Sequence, residues 1–294
     1  MRSTTVSGPL RFLLGIISVP ATKAMASSSS VPTPKYLTTS SGHRLAYHYT
    51  DGKMPSLLFC GGFCSNMTGR KATVLEAHCL ETGYAFCRFD YRGHGQSSGT
   101  FQDCTLSDWI EDTLAIVDHV LGKATPVILV GSSMGGWIAH HVALQRSDRL
   151  AGVVGVAAAP DFLDDLWNSF TEEQKSFLEN TGTVDLDTAY DEYPYSISLS
   201  LLEDGRKWNL LKSPGGEEDH ITPISCPVRL LHGQCDEDIS FHKSLALADA
   251  LQSNNVVVTL IKDGDHRLSR EQDLMRLCST VDEMVRLVSA GGGE

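Results

Sequence analysis

Two periods of apolar residues alternate along the chain. Short, mostly apolar runs cover 45–49, 56–60, 84–89, 127–130, 150–158, 228–231 and 256–261, and such runs predict buried strands. Between them, 71–81, 106–121, 137–144, 243–251 and 271–288 carry helical spacing. In 106–121 the buried face is marked by Ile110, Leu114, Val117 and Leu121. Strands alternating with helices predict an α/β fold over residues 36–294, with a mostly parallel central sheet covered by helices on both faces. The alternation breaks over about 161–224. That stretch is acidic and aromatic, holding Phe162, Trp167, Phe170, Phe177, Tyr190, Tyr193, Tyr195 and Trp208, and it lacks β-branched runs. It reads as a small, mainly helical cap over the carboxyl edge of the sheet. Its aromatics serve a core of their own, a pocket wall, or both.

Charge divides the chain at a different place. The formal net charge is −12, yet no Asp or Glu precedes Asp51, while Arg2, Arg11, Lys23, Lys35 and Arg44 all do. The first fifty residues are therefore +5, and the remainder, with 19 basic against 36 acidic residues, is −17. A body this acidic offers no footprint for nucleic acid. The basic, Ser/Thr-rich head suits a targeting peptide over 1–35. Leu10, Leu13, Leu14 and Ile17 form one helical face beside Arg11, as in a mitochondrial presequence. A secretory signal is the alternative, with an apolar run at 12–19 and Ala24-Met25-Ala26 as a cleavage site. The run is too short to span a bilayer, so no stable membrane insertion is expected. The eight cysteines match no zinc spacing and no C-x-x-C pair, and they read as free thiols in a reducing interior. No metal signature and no cofactor motif is present.

The sharpest chemical signal is Gly131-Ser132-Ser133-Met134-Gly135, which follows an apolar strand and precedes a helix. This is the context of a nucleophile elbow, a turn tight enough to need Gly131 and Gly135, with Ser133 held above the sheet. A serine hydroxyl needs a base and a group to orient that base. Strand 228–231 empties into a loop bearing Asp236, and strand 256–261 into a loop bearing His266. That order predicts Ser133 as nucleophile, His266 as base and Asp236 as the acid that orients it. Asp238 competes with Asp236 but lies farther from its strand end, and Asp265 reads as a turn residue. His94 and His232 sit in glycine-flanked motifs that read as structural. His119, His140 and His141 fall on helices as surface or packing residues. The Met134 amide supplies one oxyanion donor. The loop Gly61-Gly62-Phe63 supplies the second through the Phe63 amide, with Gly62 allowing the turn; otherwise the glycines form only a tight turn.

Together with Asp90-Tyr91-Arg92-Gly93-His94-Gly95-Gln96-Ser97, these motifs resemble the α/β-hydrolase superfamily over about 36–287. The resemblance implies the α/β-hydrolase fold and acyl-enzyme chemistry. The stretches "RFDYRGHGQSSG", "LVGSSMGGW", "CPVRLLHG" and "DHR" look like the members that act as mitochondrial acyl-protein thioesterases and acyl-glucuronide esterases. Gly61 departs from the Pro-Gly-aromatic loop of those enzymes. This likeness implies S-acylated proteins, chiefly S-palmitoyl cysteine, or small acyl esters as substrates. A general carboxylesterase is one alternative. A non-catalytic acyl-ligand receptor is another, from which turnover lost on His266→Ala would distinguish an enzyme.

Overall fold

The computed structural model describes residues 33–122, 125–188, 194–211 and 221–291. The targeting signals of the first 32 residues, and Tyr190 and Tyr193 of the cap, lie outside the described residues. In chain order the elements are β1 (Lys35–Thr38), β2 (Arg44–Thr50), β3 (Lys53–Cys60), α1 (Arg70–Thr82), β4 (Tyr84–Phe89), α2 (Leu106–His119), β5 (Val127–Ser132), α3 (Met134–Gln145) and β6 (Leu150–Val156). Then come α4 (Phe162–Ser169), α5 (Glu172–Thr181), β7 (Thr183–Leu186), β8 (Tyr195–Ser198), α6 (Leu199–Gly205), β9 (Val228–Gly233), α7 (His242–Ala250), β10 (Val256–Ile261) and α8 (Glu271–Gly291).

Eight strands form one sheet in the order β1-β2-β4-β3-β5-β6-β9-β10. The five pairings from β4 to β10 are parallel, while β1–β2 and β2–β4 are antiparallel. The protein has the α/β-hydrolase fold. The predicted strands match their continuous apolar runs: β5 and β9 are buried at every residue. The edge strand β10 is buried only at Ile261 and is half-buried or exposed elsewhere, because it has a neighbouring strand on one side alone. Lys35–Thr38 is a strand that the pattern missed, because an exposed four-residue edge strand has no apolar run to detect.

Apolar side chains pack on both faces of the sheet. On one face α1 and α8 bury Leu75, Cys79, Val281 and Met284 against Leu57, Ile128 and Val154. On the other, α2 and α3 bury Trp109 and Trp137. That second core runs without a break into Leu163, Phe170, Leu178 and Ile197 of the excursion between β6 and β9. Among its described residues the excursion holds the α-helices α4, α5 and α6 and the two-stranded antiparallel hairpin β7–β8, which the apolar pattern did not reveal. Helices α4 and α5 part at Phe170. There a capping box, Thr171 with Gln174, ends one helix and starts the next. The two stems of the excursion are tied to each other, and its helix α6 is tied to α2 of the body. The Asp161 carboxylate accepts the Leu210 and Leu211 amides at 2.7 and 3.0 Å. Asp204 accepts the Ser107 hydroxyl at 2.8 Å and amide at 2.7 Å. Among the described residues no helix is long and apolar enough to cross a membrane.

Candidate active site

Strand β5 ends in the elbow, and the close packing there explains its glycines. A Cβ on Gly131 would stand 2.3 Å from the Gly135 carbonyl oxygen. One on Gly135 would stand 2.1 Å from that of Cys60. Ser133 takes φ 55° and ψ −122°, a conformation that costs a non-glycine residue about 1–3 kcal/mol. The strain is held by neighbours: the Ser133 amide donates to Val156 O at 2.9 Å, and its carbonyl accepts from Gly136 and Ala159. The result is a serine projecting beyond the carboxyl edge of the sheet.

Ser133 Oγ lies 3.0 Å from His266 Nε2, and His266 Nδ1 lies 2.8 Å from Asp236 Oδ2. The three predicted residues thus come together across 133 residues of chain, each from the carboxyl end of a strand. Oδ1 of Asp236 accepts the amides of Asp238 and Ile239 at 3.0 and 2.8 Å. Burial opposes the Asp236 charge. The protons of His232 and His266, the His266 charge and the Ile239 amide outweigh it and hold the carboxyl well below the usual range. The competing Asp238 stands close, with its side chain within 4.8 Å of both Asp236 and His266, but Asp236 makes the bond to the imidazole. Asp265 turns to the Leu268 amide at 2.9 Å.

Met134 is the first residue of α3, where amides have no partner within the helix. Gly62 abuts the serine: a Cβ there would lie 3.3 Å from Ser133 Cβ and from Ser132 O, so the Gly62-Phe63 loop passes directly over the elbow. The motif after β4 braces that loop. The Asp90 carboxylate accepts the Met67 amide at 2.6 Å, Arg88 donates to the Met67 carbonyl at 2.8 Å, and the Tyr91 hydroxyl donates to the Gly61 carbonyl at 3.2 Å. The Phe63 ring is wedged edge-on against Phe101, Trp109, Phe162 and Tyr195, with centroids 5.1–6.0 Å apart. The Gly62-Phe63 loop therefore touches the excursion that roofs it.

Ser133 and His266 open into a cleft of about 1230 Å³, above the roughly 300–1,000 Å³ usual for small-molecule sites. Phe63, Phe162, Leu166, Phe170, Tyr195 and Ile197 make an apolar wall, while Arg70, Lys71 and Arg267 stand on the cleft lining as cations. Burial and the neighbouring Arg267 charge hold the Lys71 amine down to about 8. Its ammonium donates to the Arg267 carbonyl, beside His266.

Other histidines fall where their surroundings put them. His140 and His141 are buried in α3, His119 is exposed on α2, and His94 is buried among Tyr91, Phe101 and Trp109. His232 is structural but not remote: its ring touches Asp236. Sequence reasoning missed that contact, as well as Lys71. The only available signal was the four-residue spacing from His232 to Asp236. All eight cysteines are free thiols, and one of them, Cys235, is exposed rather than set in an apolar segment.

Comparison with known proteins supplies the kinship. The family pattern described as Serine aminopeptidase, S33 matches residues 55–182. Palmitoyl-protein thioesterase ABHD10, mitochondrial, of Bos taurus is 38% identical over 246 residues, covering 83% of this chain and 78% of the bovine protein. The chain belongs to the ABHD10 family of α/β hydrolases. The Homo sapiens ABHD10 is 37% identical over the same shares of both chains. The solved structure of mouse ABHD10 superposes with a TM-score of 0.79 at 36% identity, covering 87% of this chain and 100% of that one. Like the other members of the ABHD10 family, the chain is a hydrolase.

Proposed function

We propose that this protein removes long-chain acyl groups, chiefly S-palmitoyl, from protein cysteines through an acyl-enzyme on Ser133. The observation that carries the reading is the continuous Ser133–His266–Asp236 relay at the floor of a large, aromatic-walled cleft. His266 Nε2 accepts the Ser133 proton as Oγ attacks the thioester carbonyl. Asp236 keeps the other imidazole proton on Nδ1 and balances the charge that His266 acquires. The Met134 and Phe63 amides receive the oxyanion, and one such donor is worth about 2.7–4 kcal/mol in acyl transfer. The cysteine thiolate leaves and takes the proton from His266. His266 then draws a proton from water, which attacks the acyl-enzyme, and returns it to Ser133 Oγ as the acyl–oxygen bond breaks and the fatty acid leaves. Side chains, backbone amides and water suffice for every step.

The names of the bovine and human relatives, palmitoyl-protein thioesterases designated mitochondrial, support both the substrate class and a mitochondrial location for this chain. The acid-free basic head supports the same address. A second substrate class follows from the cationic lining: Arg70 and Arg267 suit a leaving group that bears a carboxylate, as an acyl glucuronide does.

The test has two arms. A fluorophosphonate probe is expected to label the wild type and not Ser133→Ala. Across acyl-cysteine peptides, acyl-CoAs and acyl glucuronides of rising chain length, kcat/KM is expected to climb toward long-chain acyl-cysteine. Equal labelling of the serine variant removes the mechanism, and turnover confined to short simple esters removes the depalmitoylation reading.

A further inference from the structure

We infer that His232 is a positioning residue for the acid of this site, fixing the Asp236 carboxylate toward His266 and moderating its pull on that imidazole. The inference rests on the triad proposed above. His232 sits on β9 with its side chain wholly shielded from solvent. Its Nε2 is 3.0 Å from Asp236 Oδ2 and 3.0 Å from the Ile239 carbonyl. Both are acceptors, so Nε2 carries a proton and shares it between them. Its Nδ1 is 2.7 Å from Ser244 Oγ on α7, a buried hydroxyl able to donate to it. The ring is therefore fixed at both ends, by its two acceptors at Nε2 and by the α7 hydroxyl at Nδ1.

The consequence lies at one atom. Asp236 Oδ2 accepts two imidazole protons, from His232 at 3.0 Å and from His266 at 2.8 Å, while Oδ1 is occupied by two backbone amides. All four bonds together leave the carboxylate no freedom to rotate. A carboxylate oxygen shared between two donors is also a weaker base toward each. Without the His232 proton, Oδ2 would answer to His266 alone, stabilise its charged form more strongly and be less firmly placed. The acid limb of the rate profile would then move to higher pH.

Other charged or titratable groups face this pair, and substitution at 232 leaves them in place. Asp238 stands within 4.8 Å of Asp236 and His266. Asp265 is bonded to the Leu268 amide. Lys71 on α1 reaches the Arg267 carbonyl beside His266, and the Arg267 charge lies near Lys71. Lys243 on α7 is paired with Asp165 at 2.6 Å. A moved acid limb therefore reports the missing His232 proton.

The experiment measures kcat and KM against pH for a p-nitrophenyl acyl ester, using the full chain and the His232→Phe, His232→Gln and Ser244→Ala variants. His232→Phe is expected to lower kcat about tenfold with KM within about twofold, and to raise the acid limb of kcat/KM by about half a pH unit. His232→Gln is expected to restore the limb, because its amide nitrogen has a proton for Asp236 and another for Ile239. Ser244→Ala frees the Nδ1 end of the ring and loosens the Nε2 bond to Asp236 without removing its proton, and is expected to shift the limb the same way by a smaller amount; it decides the matter if the phenylalanine variant does not fold. A limb that stays in place in every variant, or that the glutamine variant leaves displaced, overturns the inference. Probe labelling separates the two levels. If Ser133→Ala still labels, the triad reading fails; if that label is lost while His232→Phe keeps the wild-type limb, only the role of His232 fails.

Discussion

Replacing Asp236 by Asn tests the relay where its geometry is most demanding. The native carboxylate accepts four hydrogen bonds and donates none: two amides on Oδ1 and two imidazole protons on Oδ2. A carboxamide of the same shape has one oxygen and one NH2. Its oxygen must stay with the Asp238 and Ile239 amides, or those donors are orphaned in a buried loop. The NH2 then faces the N–H groups of both His232 and His266. Nε2 of His232 cannot easily give up its proton, since the Ile239 carbonyl also accepts it. His266 is left to turn its bare Nδ1 toward the new amide and carry its proton on Nε2, against Ser133 Oγ. In that tautomer it has no lone pair for the serine proton.

The expected loss in kcat is about 10⁴-fold, the size seen when an orienting acid is amidated in a serine triad. That corresponds to about 5.5 kcal/mol of transition-state stabilisation. A stability cost of about 1–3 kcal/mol accompanies it, from the buried donor left without an acceptor. The assay is stopped-flow or steady-state hydrolysis of a p-nitrophenyl acyl ester, run below the unfolding transition of the variant. Asp238→Asn is the control and is expected to stay within about threefold of wild type, because Asp236 is the acid bonded to His266 Nδ1. A 236 variant that keeps more than about a tenth of the activity, or a 238 variant that falls equally far, would refute the reasoning.

The elbow glycines make a ranking that denaturant unfolding can check. Gly135→Ala drives a Cβ to 2.1 Å from the Cys60 carbonyl oxygen, so it should cost more than about 4 kcal/mol or leave no folded enzyme. Gly182→Ala meets nothing within 4 Å and bears only its φ of 79°, about 1–2 kcal/mol; the opposite ranking would show that contact with β3 does not set the elbow. Acid stability follows from buried histidine. Burial lowers the His140 imidazole from 6.5 to about 4, so below pH 6.5 the unfolded chain binds a proton that the folded chain refuses. Its contribution is whole above pH 6.5 and is lost as pH falls toward 4, at a slope of about 1.4 kcal/mol per pH unit, for a total of about 3 kcal/mol. His94 and His141, likewise lowered to about 4, add in the same direction. His140→Gln should flatten the urea-derived stability profile between pH 6.5 and 4 by about one proton, and an unchanged slope would place the acid sensitivity elsewhere.

How far the sequence could reach depended on whether a feature is local. Ser133 was legible because the elbow is written in five consecutive residues between an apolar strand and a helix. Asp236 and His266 were legible because each follows the end of a buried strand, so the parallel order of the sheet carries them to one edge. The hairpin β7–β8 left no trace in the pattern: two four-residue strands over a cap lack the length for alternation to show. The edge strand β1 escaped for the same reason. The glycine-flanked motif around His232 marks it as structural, while its bond to Asp236 depends on how the loop after β9 doubles back.

The sequence by itself therefore determined the chemistry available: a serine on a strained turn, an imidazole and a carboxylate at successive strand ends, and an acidic body behind a basic head. Periodicity and glycine spacing are local consequences of backbone sterics, so they survive without coordinates. Tertiary structure alone decided that His232 shares the Asp236 carboxylate with His266, and that the Phe63 ring seats against the cap. Those choices turn on distances of a few tenths of an ångström between elements far apart in the chain. They are set by packing of the whole sheet, and no local pattern encodes them.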